Sequence, residues 1–174
     1  SFLDIVAAQN EEQLNDLPDE LKDEYGRASA ETVEANLREV IRKDSPFNPA
    51  YYGKLSIILQ ELIDKRKKEM LDYEEYMKEL IELVKKAKGK SANSYPESIK
   101  TPGMRALYDN LGQNEYLAIR AHEIIKENAI VGFRESLMKR KKIIRALAKL
   151  LGDEMALKIY DIIKLHDEYG KGYC

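Results

Sequence analysis

The sequence predicts an all-α protein, an irregular bundle of about six to eight helices built around an αα-hairpin. Apolar residues recur at three- and four-residue spacing through most of the chain, and helix start and stop signals separate these stretches. No run of the sequence alternates apolar and polar residues between turn signals, which is the pattern of a half-buried strand. These observations favour helices throughout.

The clearest element is the helical hairpin between Asn48 and Lys86. Asn48 is a good N-cap residue, and Pro49 fits the first helical position because its missing N–H would have no partner there. A second start signal is Asp72 with Glu75 three residues later, the spacing of a capping box. The residues expected to face inward are Tyr51, Leu55, Ile58, Leu59, Leu62 and Ile63 in the first helix, and Tyr73, Tyr76, Met77, Leu80, Leu83, Val84 and Ala87 in the second.

The segment before the hairpin is expected to hold a short apolar helix (1–9), an acidic linker (10–26) and one longer helix. Ser29 is the expected N-cap of that helix, and Asp44-Ser45-Pro46 is its stop signal. Its expected inward residues are Val33, Leu37, Val40 and Ile41. The predicted organisation is therefore an N-terminal helix with an acidic linker (1–28), followed by a helical domain (29–174).

Four further helices are expected after a polar, mobile loop (89–100). Thr101-Pro102 starts the first of them, and Gly112 ends it in a left-handed conformation. Asn128 to Arg134 is expected to be a loop. The residues expected to face inward in the four helices are Met104, Leu107, Tyr108 and Leu111; Leu117, Ala121, Ile124 and Ile125; Ile144, Leu147, Ala148 and Leu151; and Met155, Ile159, Ile162 and Ile163.

Composition excludes several classes of protein. Lys plus Arg number 29 and Asp plus Glu 31, and a net charge of −2 argues against a dedicated nucleic-acid-binding domain. The single cysteine, Cys174, cannot form an internal disulfide, which is typical of a cytoplasmic protein. No apolar run approaches the ~20 residues of a membrane span. We expect a soluble cytoplasmic chain that binds no membrane.

No motif predicts a catalytic, cofactor or metal site. Gly89-Lys90-Ser91 matches the end of a phosphate-binding loop, but Val84 stands where the first glycine belongs, and the segment follows a helix rather than a strand. His122 and His166 have no Cys, Asp or Glu at helical ligand spacing, and His166 is expected at the edge of the core.

The candidate contact residues are basic and aromatic. A strongly positive stretch near the C-terminus has few acidic neighbours and is a candidate contact for DNA or for a protein partner: Lys139, Arg140, Lys141, Lys142, Arg145 and Lys149. Three hairpin tyrosines, Tyr52, Tyr73 and Tyr76, are candidate interface aromatics, since the rings in this hairpin cannot all be buried. A second basic run, residues 65–68, is balanced by acidic neighbours and is expected to be a solvated face.

Several segments resemble, in fixed order, the C-terminal helical region of the R subunit of type I restriction enzymes. The segments are NPAYY, LQELIDKRK, DYEEYMKELIELVKK, YPESIKTPGMRALYDNLGQNEYLAIRAHEIIKENAIVGFRES, KRKKIIRAL and IIKLHDEY. The resemblance runs from about residue 31 to about residue 169, most of the chain. The chain differs from the family's usual pattern at Phe133, where Trp is common, and at Leu165-His166, where an Asn–Gln pair is common.

The resemblance implies a function that the residues alone do not. The intact R subunit is an ATP-dependent translocase and site-specific endonuclease that uses ATP and Mg, and its C-terminal helical region docks the motor onto the methyltransferase core. It implies that this chain is a non-catalytic piece without a cofactor of its own, and that residues 1–28 come from the motor side. Its expected partners are the methyltransferase and specificity subunits, with duplex DNA met weakly or indirectly.

The nuclease of such a subunit needs an Asp and an acid-x-Lys pair on neighbouring strands that converge on one metal. Asp19 and Glu20-x-Lys22 lie side by side in the expected linker, so the nuclease and both motor lobes are expected upstream of this chain. Two alternatives remain open. The chain could be a helical domain that contacts DNA and steers duplex to the motor, or an unrelated helical scaffold protein.

Overall fold

The computed structural model describes residues 19–89 and 95–171, and of residues 19–29 only the backbone. This part of the chain contains α-helices, one 3₁₀-helix and no strand, which confirms the all-α prediction. The elements are α1 (Asp19–Asp44), the 3₁₀-helix (Ser45–Phe47), α2 (Pro49–Lys67), α3 (Tyr73–Ala87), α4 (Pro102–Asn110), α5 (Glu115–Asn128), α6 (Leu137–Leu151) and α7 (Asp153–Ile163).

Helix starts occur largely where the cap residues predict them. The side chains of Asn48, Asp72 and Thr101 each accept a hydrogen bond from the backbone N–H three residues later, at 3.3, 2.8 and 3.1 Å. Asn114 and Ser136 cap α5 and α6 in the same way. No side chain caps α7, because Gly152, with φ +83°, precedes it and Asp153 is its first residue.

α1 begins eleven residues earlier than predicted. Ser29 was expected to be its N-cap but lies inside the helix, which starts at Asp19. The expected linker is therefore helical over its second half, including Gly26, in spite of the roughly 1 kcal/mol that an interior glycine costs a helix.

The proposed boundary between residues 28 and 29 falls within this continuous helix. The division into a motor-side segment and a helical domain otherwise stays a prediction, and the short helix expected at residues 1–9 lies outside the described residues.

The described chain separates into two units. The first unit comprises residues 19–44 and 52–89, and the second comprises residues 45–51 and 95–171. α2 contributes its first three residues to the second unit and the rest to the first.

In the first unit, α1 packs against α3. Side-chain contacts at both ends show that α2 and α3 run antiparallel, as predicted for the hairpin. The Tyr52 hydroxyl near the start of α2 donates to the carbonyl of Ala87 at the end of α3, at 3.4 Å. At the other end of the hairpin, the Arg66 guanidinium lies 5.4 Å from the ring centroid of Tyr76. The apolar core consists of Ala30, Val33, Leu37, Ile41, Leu55, Leu59, Leu62, Ile63, Met77, Leu80, Leu83, Val84 and Ala87. Ile58, predicted to face inward, is exposed instead.

In the second unit, α6 packs on both α5 and α7, and α4 packs on α5 and α7. The largest fully buried side chains here are Leu107, Ile125, Phe133, Ile143, Leu147, Ile159, Ile163 and Tyr169. The 3₁₀-helix packs on α7. Phe133 and His166 are both buried. These two positions therefore have a structural role.

The loop expected to be mobile (89–100) is partly held in place. Tyr95 donates its hydroxyl to Asp109 at 2.5 Å, and Ile99 lies in the core of the second unit. Residues 90–94 lie outside the described part of the chain. Among the helices that the structure describes, none has the length and apolar character needed to cross a bilayer.

Candidate functional site

The predicted basic stretch lies on α6, in the second unit. The Ser136 hydroxyl accepts from the Lys139 N–H at 3.4 Å at the start of the helix, and Gly152 ends it. Ile143 and Leu147 are fully buried and fix which side of α6 faces the core. Because the helical period is known, the position of Ile143 and Leu147 also determines which residues lie on the other sides of α6.

Two of the six predicted basic residues are engaged within the protein. Lys139 Nζ donates to the backbone oxygen of Val131 at 2.7 Å, and the Arg140 guanidinium lies 5.1 Å from the ring centroid of Tyr160. These contacts lie on either side of the buried face. Both cations therefore have a contact within the second unit.

The other four basic residues form one exposed surface, the basic face: Lys141, Lys142, Arg145 and Lys149. Their spacing of three, four and seven residues places them together, on the side of α6 opposite Ile143 and Leu147. None of the four has an ion pair or hydrogen bond with any residue that the structure describes. The basic face is therefore a concentration of uncompensated positive charge in a chain whose net charge is −2.

Apolar side chains are exposed where α6 begins. Leu137 is 63% exposed and Met138 83%, and in the turn before α6 Ile130 is 48% and Val131 60% exposed. We call these four residues the apolar corner. The bond from Lys139 to Val131 brings the turn against the first turn of the helix.

Sequence reasoning missed the apolar corner. Its signal was present, because Leu137 and Met138 do not fall in the register of Ile143 and Leu147, which marks the buried face of α6. Two consecutive aliphatic residues, Ile130 and Val131, directly before the turn residue Gly132 are a second such signal.

The three candidate tyrosines do not form one surface. Tyr76 is buried: its hydroxyl donates to Glu34, and Arg66 Nε lies 3.1 Å from the same carboxylate. Burial, together with that hydrogen bond, raises the pKa of Tyr76 far above its usual range. Tyr76 is therefore a core residue, and its assignment as an interface aromatic is wrong. Tyr52 and Tyr73 are partly buried in the hairpin.

The two histidines have structural partners. His122 Nδ1 lies 2.7 Å from the Tyr169 hydroxyl, and burial lowers the pKa of His122, although the nearby Glu168 carboxylate opposes this effect. His166 is buried and its Nε2 donates to the Phe47 carbonyl at 2.7 Å, which agrees with the prediction of a core-edge histidine.

In the described ranges 19–89 and 95–171, no three His, Cys, Asp or Glu side chains come together as a metal site would need. Lys90 and Ser91 of the phosphate-loop-like motif lie outside these ranges. Asp19, Glu20 and Lys22 lie on the first turn of α1 and not on strands.

Comparison of this chain with protein-family models, with curated proteins and with solved structures found no match in any of the three.

Proposed function

We propose that this chain is the non-catalytic C-terminal helical domain of the R subunit of a type I restriction enzyme. Its role would be to dock the ATP-dependent translocase and endonuclease onto the methyltransferase core. The proposal draws on the resemblance of six segments in fixed order. The single structural observation that supports it is the exposed surface of α6, where apolar side chains adjoin four unpaired cations.

Docking to a protein accounts for both parts of this surface. Protein interfaces combine a desolvated centre, in which Met and Arg are enriched, with a charged rim. A surface that only tracked phosphate would need the cations but not Leu137 or Met138. The balance of 29 basic and 31 acidic residues also gives the chain no long-range attraction to duplex DNA.

The second candidate is a helical domain that steers duplex DNA toward the motor. The observation that favours it is the basic face, since Lys141, Lys142, Arg145 and Lys149 have no acidic partner among the described residues. Four phosphate contacts would make the affinity fall steeply as salt rises. The logarithm of the binding constant would fall against the logarithm of the salt concentration with a slope of about −0.9 for each contact.

The two candidates separate in one experiment. The 174-residue chain is titrated with the methyltransferase–specificity complex of its own system and, separately, with plain duplex DNA, each at several salt concentrations. We expect association with the methyltransferase complex at micromolar concentrations or below, with modest salt dependence, and weak binding to duplex.

Two results would contradict docking. A chain that does not associate with the methyltransferase complex at micromolar concentrations lacks the proposed role. Submicromolar, strongly salt-dependent binding to plain duplex would instead support DNA steering. If neither partner binds, the remaining interpretation is a helical scaffold unrelated to restriction.

A further inference from the structure

We propose that the apolar corner and the basic face form one docking surface, and that its occupant is an apolar patch flanked by carboxylates on a methyltransferase-complex subunit. This inference rests on the proposed function and deepens it, because it names the surface and the chemistry of the partner. The partner residues it requires are aliphatic or aromatic side chains next to Asp and Glu.

The two parts are continuous along α6. Leu137 lies one turn before Lys141, and Met138 lies one turn before Lys142. From Leu137 to Lys149 the helix is about 18 Å long at a rise of 1.5 Å per residue. That length suits one side of an ordinary protein interface, with the apolar residues at one end and the charge at the other.

The apolar corner is held in position before any partner binds. Phe133 is fully buried, and its N–H donates to the Ile130 carbonyl at 3.1 Å, closing the turn. Lys139 Nζ, 2.7 Å from the Val131 carbonyl oxygen, ties that turn to α6. Arg134 anchors the turn to the end of α7, because its guanidinium donates to the backbone oxygens of Lys164 and His166 at 2.6 and 2.9 Å. A preorganised apolar surface loses little conformational entropy on binding.

Charge complementarity identifies the partner. Every residue of the basic face is exposed, and no carboxylate pairs with it among the described residues, so its charge is available to a partner. Phosphate could meet the same charge, but contact along the basic face alone would leave Leu137 and Met138 in water. A bilayer could also take up the apolar residues and attract the four cations, at about 1 kcal/mol for each Lys or Arg near an anionic surface. Binding to phosphatidylserine vesicles is therefore measured as the competing outcome. Carboxylates beside an apolar patch satisfy both halves of the surface.

The two halves are expected to affect different rate constants. Rim charges steer encounter and set the association rate, whereas desolvated anchors set the dissociation rate. We expect Leu137→Gln with Met138→Gln to raise the dissociation rate from the methyltransferase complex by about tenfold or more. Changing all four residues of the basic face to Gln should lower the association rate by about tenfold and remove most of its salt dependence. These residues are Lys141, Lys142, Arg145 and Lys149.

Matched controls exist in the first unit. Four exposed cations there, Lys54, Lys65, Lys67 and Lys68, can be changed to Gln, which removes the same charge. Ile57→Gln with Ile58→Gln removes two exposed aliphatic side chains from α2. Both controls should keep each rate constant within about twofold of the original chain. Helical circular dichroism should be the same for all variants, since every changed side chain is exposed.

The outcomes distinguish the inference from the proposed function. If the original chain binds and both α6 variants bind within about twofold of it, docking stands and this surface is wrong. If the original chain does not bind the methyltransferase complex, both are overturned. If the basic-face variant loses only duplex binding, or only binding to phosphatidylserine vesicles, the occupant is nucleic acid or lipid and the inference is also wrong.

Discussion

Two buried asparagines, Asn48 and Asn110, form the polar centre of the second unit. Asn110 Nδ2 donates to Asn48 Oδ1 at 2.9 Å and to the Ala106 carbonyl at 2.8 Å, and its Oδ1 accepts from the Ala50 N–H at 3.2 Å. Asn48 in turn donates to Asp109 at 2.8 Å. Because both amides are satisfied, Asn48 both caps α2 and ties the three residues of that helix that belong to the second unit to α4.

At the same scale, the pKa of His122 predicts a pH dependence. Burial lowers this pKa from its ordinary 6.5, so the unfolded chain binds the proton more readily than the folded chain. The contribution of neutral His122 to folding stability is therefore fully present when the pH is above 6.5. It is lost progressively as the pH falls toward the lower pKa of the folded state. Urea unfolding at about pH 7.5 and about pH 5.5 should show a smaller decrease in stability for His122→Gln than for the original chain.

The pH-dependent change in unfolding free energy is compared between His122→Gln and the original chain, so that the contribution of other titrating groups cancels. Those that act on His122, namely Glu123, Lys126 and Glu168, are present in both. An equal decrease in the unfolding free energy of both chains would show that His122 is not protonated more readily on unfolding.

At the scale of elements, the buried sides of α2 and α3 should carry most of the stability of the hairpin. Leu59 and Leu80 are both buried in the first unit, as predicted. Leu59→Ala and Leu80→Ala should each cost about 2–5 kcal/mol of unfolding free energy, through lost burial and the cavity left behind. Chemical denaturation followed by circular dichroism measures this.

Ile58 on the same helix provides the control. It is exposed, and Ile58→Ala should change the unfolding free energy by less than about 0.5 kcal/mol. A Leu59→Ala variant as stable as Ile58→Ala would mean that the buried side of α2 has been assigned to the wrong residues.

The starts of the helices show which element boundaries can be predicted from neighbouring residues in the sequence. Asn48, Asp72 and Thr101 cap helices as their sequence context predicts, because the bond each accepts comes from three residues away. The predicted start of α1 was wrong by eleven residues, because Ser29 has the chemistry of a cap but also fits inside a helix that began earlier.

At the scale of the whole molecule, the chain should be strongly helical by circular dichroism and should neither hydrolyse ATP nor cleave DNA. The sequence lacks a complete phosphate-binding loop, since Val84 replaces its first glycine. ATP hydrolysis that persists through repeated purification and is abolished by Lys90→Ala would overturn this prediction. The control is Lys54→Ala, which changes an exposed lysine on α2.

The sequence by itself determined the fold class and the helices that follow Asp44. Caps and apolar stripes act over three or four residues, and these interactions are the same in an isolated segment as in the folded chain. For this reason the hairpin, the end of α1 at Asp44 and the left-handed Gly112, with φ +71°, were all predicted.

Only the tertiary structure decided which candidate residues are available to a partner. Lys139 and Arg140 look like their neighbours in the sequence, yet they bind Val131 and Tyr160, which lie eight residues before the one and twenty after the other. The hydroxyl of Tyr76 donates a hydrogen bond to Glu34, which lies 42 residues earlier in the sequence. Exposure depends on which distant elements cover a side chain, and periodicity within a single helix carries no information about them.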